Sequence, residues 1–310
     1  MLTIGRVADR PPRSLAEVLS VTGGPGAGVD VEGLHGRLDE AARAAAAVGG
    51  WHDGDPLRLA KGPVTWLLRC PRRAVAQAAG PGAGADDLVA GLVVDAAAKV
   101  ATLVPQRPAT VDAALTYLAA TGDEVVATRL ADLDLRARSA LVDDVTARVD
   151  RLVAGWPAID PGWWPRVEDP VRARLAGGAV TVGGRLDVLL GGPPTGRPAV
   201  VVEVKSGRWY DGMRADVHLY ALLVTLRDGA APRWAVTVVA DGTTQVEPIR
   251  PAVLVHAAER LAEAMGVAAR LAAGEPPAAL PGPHCPHCPA RPACPAGLAW
   301  RPEAAEAVAS

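Results

Sequence analysis

The sequence predicts an α/β fold with a mostly helical first half. Three observations predict it. Ala-rich amphipathic segments, apolar at three- and four-residue spacing, fill the chain up to about residue 153. After Trp164 the pattern turns to short β-prone runs beside Gly pairs. One of them, 198–205, is apolar and Val-rich until it ends in charge, as expected of a central strand buried on both faces.

Taken in order, residues 1–60 read as a helical preamble with a helix over 34–48 between Gly/Pro-rich loops. A loop follows at 80–84, and helices over 86–103, 108–120 and 133–153. Residues 179–182 and 185–190 are β-prone runs around Gly183-Gly184. After the central strand come a helix over 211–227, strands 234–239 and 243–249 across an Asp241-Gly242 turn, and a closing helix over 253–273. The Pro-rich stretch 274–295 carries three cysteines.

Half of the 310 residues are hydrophobic and 21% are charged, enough to bury a core and to exclude global disorder. A net charge of -2 excludes a generally basic nucleic-acid coat protein while allowing a local basic groove. Asn and Phe are absent, and Lys occurs three times against 29 Arg. Such usage is the codon bias of a GC-rich genome, so a retained Lys is informative. Residues 1–12 lack the apolar core of an export signal. The apolar stretch 88–105 is broken by Asp95 and Lys99, as in a buried helix. A cytoplasmic protein is expected, in which four cysteines favour metal ligation over disulfides.

The sharpest motif is Gly184-Arg185-Leu186-Asp187, followed by Glu203-Val204-Lys205. Side chains alternate along a strand, so Glu203 and Lys205 share a face that Val202 and Val204 avoid. Asp187 can meet Glu203 across the sheet. Two adjacent carboxylates repel, and a divalent cation such as magnesium or manganese relieves the repulsion. That cation can polarise a phosphodiester and lower the pKa of bound water, with Lys205 orienting the water or neutralising developing charge. A surface Glu–Lys pair beside an unrelated Asp is the competing explanation; the buried Val run and the rarity of Lys count against it. On the next helix Asp216 and Tyr220 share one face, and Arg214 and His218 another. His218 reads as a solvated helix residue, and Trp209 and Tyr210 as base-stacking or core aromatics.

Cys285, Cys288 and Cys294 form a tight thiolate cluster, and Cys70 lies 215 residues before the first of them. Four thiolates suit zinc or an iron–sulfur cluster, stapling an N-terminal helix to the C-terminal loop. His284 and His287 leave a local Cys/His zinc site open.

Together these motifs resemble the RecB/AddB-type exonuclease branch of the PD-(D/E)XK nuclease superfamily, including its CRISPR-associated members. Leu67-Leu68-Arg69-Cys70-Pro71 and Cys-x2-Cys-x5-Cys are similar to the branch's cluster motifs, Gly184 and Asp187 to its Gly-x-x-Asp, and Glu203 and Lys205 to its Glu-x-Lys. The resemblance spans residues 62–298. It implies a restriction-endonuclease-like mixed sheet flanked by helices and a [4Fe-4S] cluster on Cys70, Cys285, Cys288 and Cys294. It divides the chain into an extension (1–61), a nuclease domain (62–300) and a tail (301–310). Within the domain lie a helical part (85–177), a catalytic core (178–274) and a Cys-rich loop (275–298).

The resemblance further implies a metal-dependent DNA exonuclease acting on single strands or ends, in repair or CRISPR-type processing, with a helicase or integrase as partner. Asp187 and Glu203 would bind magnesium or manganese, helped by Asp95 and the Val204 carbonyl. Lys205 would position water, and Tyr220 with Asp216 would support the site. Arg185, Arg72 and Arg73 would touch phosphate. Two positions depart from the family: Asp95 stands where a His is usual, and Asp216 replaces the Gln of Gln-x-x-x-Tyr. An inactive DNA-binding module and a zinc-stapled non-enzymatic protein are the rival readings.

Overall fold

The computed structural model describes residues 11–21, 28–78, 85–105, 109–122, 124–210 and 212–301. The expected loop at 80–84 and most of the expected tail lie outside them. The first half comprises α1 (Leu15–Ser20), α2 (Val31–Gly49), the short β1 (Leu57–Leu59), α3 (Lys61–Arg69), α4 (Pro71–Ala78), α5 (Ala85–Leu103), α6 (Val111–Ala120), α7 (Glu124–Asp132) and α8 (Leu135–Ala154). The second half comprises β2 (Arg166–Leu175), β3 (Val180–Gly192), β4 (Arg197–Lys205), α9 (Met213–Asp228), β5 (Trp234–Val239), β6 (Thr244–Pro248), α10 (Pro251–Ala272) and α11 (Pro295–Ala299).

Among the described residues six strands form one mixed sheet with a core on each face, the mixed sheet flanked by helices expected of a restriction-endonuclease-like fold. The alternation of β4 divides its side chains between them. Ala199 and Val201 pack with α2, α9 and α10, while Val200, Val202 and Val204 pack with α5 and α8. Burial on both faces explains why β4 is continuously apolar until Glu203.

β3 organises the sheet. One of its edges is paired along its length by β2, so β1 and β4 must share the other. β1 runs parallel to Val180–Val182, and β4 runs antiparallel from Gly192 to Val188. The ends of β1 and β4 therefore point at each other across a gap beside residues 183–187. Polar backbone exposed at such a gap needs other partners. One is supplied by the Asp187 carboxylate, whose Oδ2 accepts the Val204 N–H at 2.7 Å.

Two expectations change. The two β-prone runs about Gly183-Gly184 are one continuous strand, β3; the β2–β3 turn is at Ala176–Gly178, all three with positive φ. Residues 166–175 form a strand the sequence hid, because Glu168, Asp169 and Pro170 are poor strand formers. Proline is tolerated since β2 pairs with β3 on one side only. Within the expected extension, the described residues of α2 and β1 pack with the rest of the chain. Leu34, Leu38, Ala42 and Ala45 of α2 enter the first core, and β1 joins the sheet. α2 is well specified locally, with the Asp30 side chain accepting from the Gly33 N–H at 2.8 Å and left-handed Gly50 (φ 75°) ending it.

Candidate active site

β4 delivers Glu203 to the gap, 1% exposed. A carboxylate so buried must be paired. Lys205, two residues on and on the same face, donates to Glu203 Oε1 at 2.9 Å and to Asp216 Oδ2 at 2.9 Å. Asp216, in the first turn of α9, also accepts from Thr65 Oγ1 at 2.9 Å. Lys61, the first residue of α3, donates to the same Glu203 Oε1. Its ammonium lies 5.1 Å from the ring centroid of Tyr220, one helical turn after Asp216. Tyr220 is buried against β3, where a Cβ on residue 184 would sit 2.8 Å from its hydroxyl. Gly184 is therefore required by close approach, not by a turn.

Burial opposes the charge on Lys61, yet Glu203, Asp187 and Asp216 outweigh it and hold the ammonium above the ordinary lysine value. Lys205 is raised in the same way, with Glu203 and Asp216 outweighing burial and the repulsion of Lys61. Burial, then the negative charge of Glu203 and Asp187, pushes the Tyr220 phenol up.

On the other face α5 supplies Asp95 and, one turn later, Lys99. The Lys99 ammonium is buried and bonds both Asp95 and Glu168 of β2. Glu168 adopts φ 53°, a left-handed conformation uncommon for a glutamate, and its Oε2 lies 2.9 Å from Arg185 Nε. Burial raises the Asp95 pKa against the pull of Lys99.

Leu186 and Leu189 of β3 belong to the first core and Val188 and Leu190 to the second, so the strict alternation of the strand is broken beside Asp187. The Asp187 pKa is pushed well up by burial, then by Glu203 and Asp95, with Lys61 and the Val204 N–H pulling the other way.

Five carboxylates (Asp95, Glu168, Asp187, Glu203 and Asp216) thus meet three ammonium groups and one guanidinium. Glu203 Oε2 and Asp95 Oδ1 are buried without a hydrogen-bond partner among the described residues. Unpartnered buried oxygens within an excess of negative charge fit a hard divalent cation. No three described His, Cys, Asp or Glu side chains already form a closed metal site, lysines instead holding several of the carboxylate oxygens.

At the other end of α3, Cys70, Cys285, Cys288 and Cys294 line one small pocket, all as free thiols. Cys70 is the C-cap of α3. Cys285 and Cys294 sulfurs accept backbone N–H groups of Gly282 at 3.3 Å and Gly297 at 3.4 Å. A shared pocket and N–H donors fit a four-thiolate group.

The structure brings Asp95, Asp187, Glu203, Lys205, Asp216 and Tyr220 together; Val204 contributes its N–H and a core side chain. Arg185 is exposed beside the gap. Arg72 is half-buried, with Nη1 3.4 Å from the Ala293 carbonyl. Arg73 corrects an expectation. It is buried, donates to the His284 carbonyl at 2.8 Å and lies 3.8 Å from the Trp66 ring centroid, so it braces the cysteine loop and is not presented to phosphate. His218 is not a solvated residue, since its Nε2 lies 2.6 Å from Glu247. Sequence reasoning missed Lys61, Thr65, Lys99 and Glu168. The available signal was lysine rarity, because all three lysines of the chain are in this cluster.

A family model described as the PD-(D/E)XK nuclease superfamily matches residues 62–295. No curated protein matches the sequence. Among solved structures, the protein SSO0001 is 14% identical, with 84% of this chain and 95% of that chain covered and a TM-score of 0.33. A protein from Eubacterium rectale, named as a candidate exonuclease, is 10% identical, with coverages of 72% and 84% and a TM-score of 0.46. At such similarity neither likeness speaks to substrate or mechanism. Among the described residues no helix is long and apolar enough to cross a membrane.

Proposed function

Because the chain belongs to the PD-(D/E)XK nuclease superfamily, we propose that it is a metal-dependent DNA exonuclease acting on single strands or ends. The observation that carries this reading is the buried Glu203 paired to Lys205, with Asp187 bound to the intervening Val204 N–H. Asp187 and Glu203 would hold magnesium or manganese, with Asp95 and the Val204 carbonyl as further oxygen donors. Once bound, the metal would polarise the phosphodiester and acidify water.

The chain's own residues do the rest. Lys205, held between Glu203 and Asp216, keeps a fixed positive charge beside the site for an attacking water or a phosphate oxygen. Thr65 fixes Asp216, and Asp216 fixes Lys205. Arg185 is exposed beside β3, where a DNA backbone could run with Arg58 and Arg172 along the same groove. The four cysteines would hold a structural [4Fe-4S] cluster joining α3 to the C-terminal loop. A helicase or integrase partner and a role in repair or CRISPR-type processing, in the cytoplasm, complete the reading.

One observation favours a second reading, an inactive nuclease fold kept for DNA binding. Asp216 is an acceptor where the family's Gln also donates, and it adds negative charge near a polyanion. A cleavage assay separates the two. Anaerobically purified protein of known iron and zinc content is given end-labelled linear and circular single-stranded DNA with magnesium or manganese. Metal-dependent loss of the linear substrate only, abolished in Lys205→Ala and Glu203→Ala, is the expected result. Cleavage of the circle would change the mode to endonuclease. DNA binding without cleavage by iron-replete protein would establish the inactive module.

A further inference from the structure

Lys61, Lys99 and Lys205 are the chain's only lysines, and each is paired with a carboxylate at the sheet gap. The other 29 basic residues are arginine. The two cations differ physically. Arginine grips a carboxylate in a planar fork, whereas lysine is a compact charge on a flexible stem. A cluster that uses lysine alone against Glu203 uses the more readily displaced cation.

The two lysines on Glu203 are not equivalent. Lys205 is anchored twice, to Glu203 and to Asp216, at 2.9 Å each. Lys61 has one anchoring carboxylate among the described residues, the same Glu203 Oε1. Its backbone position also disfavours its charge. Lys61 is the first residue of α3, where the helix dipole is positive, and the N-cap Ala60 offers no side-chain acceptor. Meanwhile Glu203 Oε2 is buried with no hydrogen-bond partner among the described residues. One oxygen of Glu203 therefore carries two ammonium groups, and the other is left open to a cation.

We infer that Lys61 is an exchangeable counter-ion of Glu203. It neutralises the buried carboxylate in the metal-free protein and yields its place when a divalent cation arrives. The inference rests on the metal-binding reading above and adds to it a residue that competes with the metal. A second positive charge beside the same carboxylate repels the helix-terminal ammonium, which is half-buried and has a flexible stem on which to leave.

The test is binding of manganese ion alone, without DNA, to the full chain. It compares wild type, Lys61→Met and Lys61→Gln by calorimetry, with thermal melts in chelator and in manganese. Lys61→Met should bind manganese tighter on the order of tenfold, the scale on which one neighbouring charge alters cation binding to a carboxylate. It should melt lower than wild type in chelator, and added manganese should narrow the difference. Lys61→Gln keeps a donor for Glu203 without the charge. It should show the same gain in affinity with a smaller fall in melting temperature, and it decides the matter if the Met variant does not fold. Unchanged or weaker manganese affinity in the folded variants, with binding by wild type, overturns the counter-ion role and leaves the metal site standing. No binding of manganese or magnesium by any of the three proteins overturns both.

Discussion

Two side-chain clusters of the molecule lie at opposite ends of one helix and are held together in different ways. At the first residue of α3, Lys61 joins a cluster in which ammonium groups already pair with carboxylates. At its C-cap, Cys70 joins three other thiols, of which Cys285 and Cys294 accept weak N–H···S bonds at 3.3 and 3.4 Å, with no disulfide among the four. The carboxylate cluster carries its own counter-ions, three lysines paired with four carboxylates. The cysteine pocket draws its contacts from segments more than 200 residues apart, with the buried Arg73 as its nearby cation. On the proposed function, a metal would modulate the first centre, whereas a bound group would cross-link the second.

The comparison is broken most severely by Cys70→Ala. If the four thiols share a group, this variant loses iron or zinc and about 3–5 kcal/mol of stability, the scale of a lost cross-link closing a long loop. Elemental analysis and a chelator-free thermal melt read both together. Full metal content in the variant would remove Cys70 from the ligand set.

The counterpart at the carboxylate end is Lys99→Met. It leaves Asp95 and Glu168 facing each other without the buried ammonium between them. Breaking a buried ion pair from one side costs about 3 kcal/mol or more, reduced here because both carboxylates are partly exposed. The distinguishing result is recovery: manganese should restore much of the lost melting temperature in Lys99→Met and little in Cys70→Ala. Equal recovery, or none, would erase the distinction drawn between the two centres.

A smaller effect tests how tightly the sheet gap is packed. Gly184→Ala forces a methyl group to within 2.8 Å of the Tyr220 hydroxyl unless α9 shifts. Overpacking of this kind costs about 1–3 kcal/mol. Tyr220→Phe removes the clashing oxygen but leaves ring carbons at 3.0 and 3.3 Å, so the double variant should recover part of the loss in a denaturant titration. A cycle in which the two changes simply add would show that Gly184 is needed for another reason.

These residues also show what was legible in advance. Glu203 and Lys205 were found by strand alternation, because a two-residue period places them on one face whatever the tertiary fold. Asp187 followed from its neighbourhood to that strand. The helices over 86–103 and 133–153 were legible from their apolar periodicity, and α5 and α8 lie there. Lys61 was not legible by pattern. It meets Glu203 from 142 residues away, through a three-residue strand too short to carry a period. Glu168 was hidden by the polar, proline-containing start of β2. Gly183-Gly184 divided one strand into two β-prone runs, because the glycine there makes room for a helix tyrosine. What marked Lys61 and Lys99 was composition alone: a chain that writes nearly every cation as arginine has kept three lysines.

An ordinary ion pair away from both centres calibrates the rest. Glu247 of β6 accepts from His218 at 2.6 Å and lies 2.5 Å from Arg214, and it needs no metal to balance it. The His218 hydrogen bond, against burial and aided by Arg214, holds the Glu247 carboxyl below its ordinary range. A depressed carboxylate binds fewer protons folded than unfolded, so its contribution is present above the unfolded pKa near 4.3 and is lost as pH falls through the folded value. Glu247→Gln should therefore cost about 1 kcal/mol or less at neutral pH. The gap from wild type should close as the pH is lowered towards 3. Asp187 is shifted the opposite way, by burial and by Glu203, so in chelator its ionisation destabilises the fold as pH rises from about 4. Melts of Glu247→Gln and Asp187→Asn across that window should diverge from wild type with opposite slopes. Parallel slopes would mean that the carboxylate cluster is balanced no differently from a common surface pair.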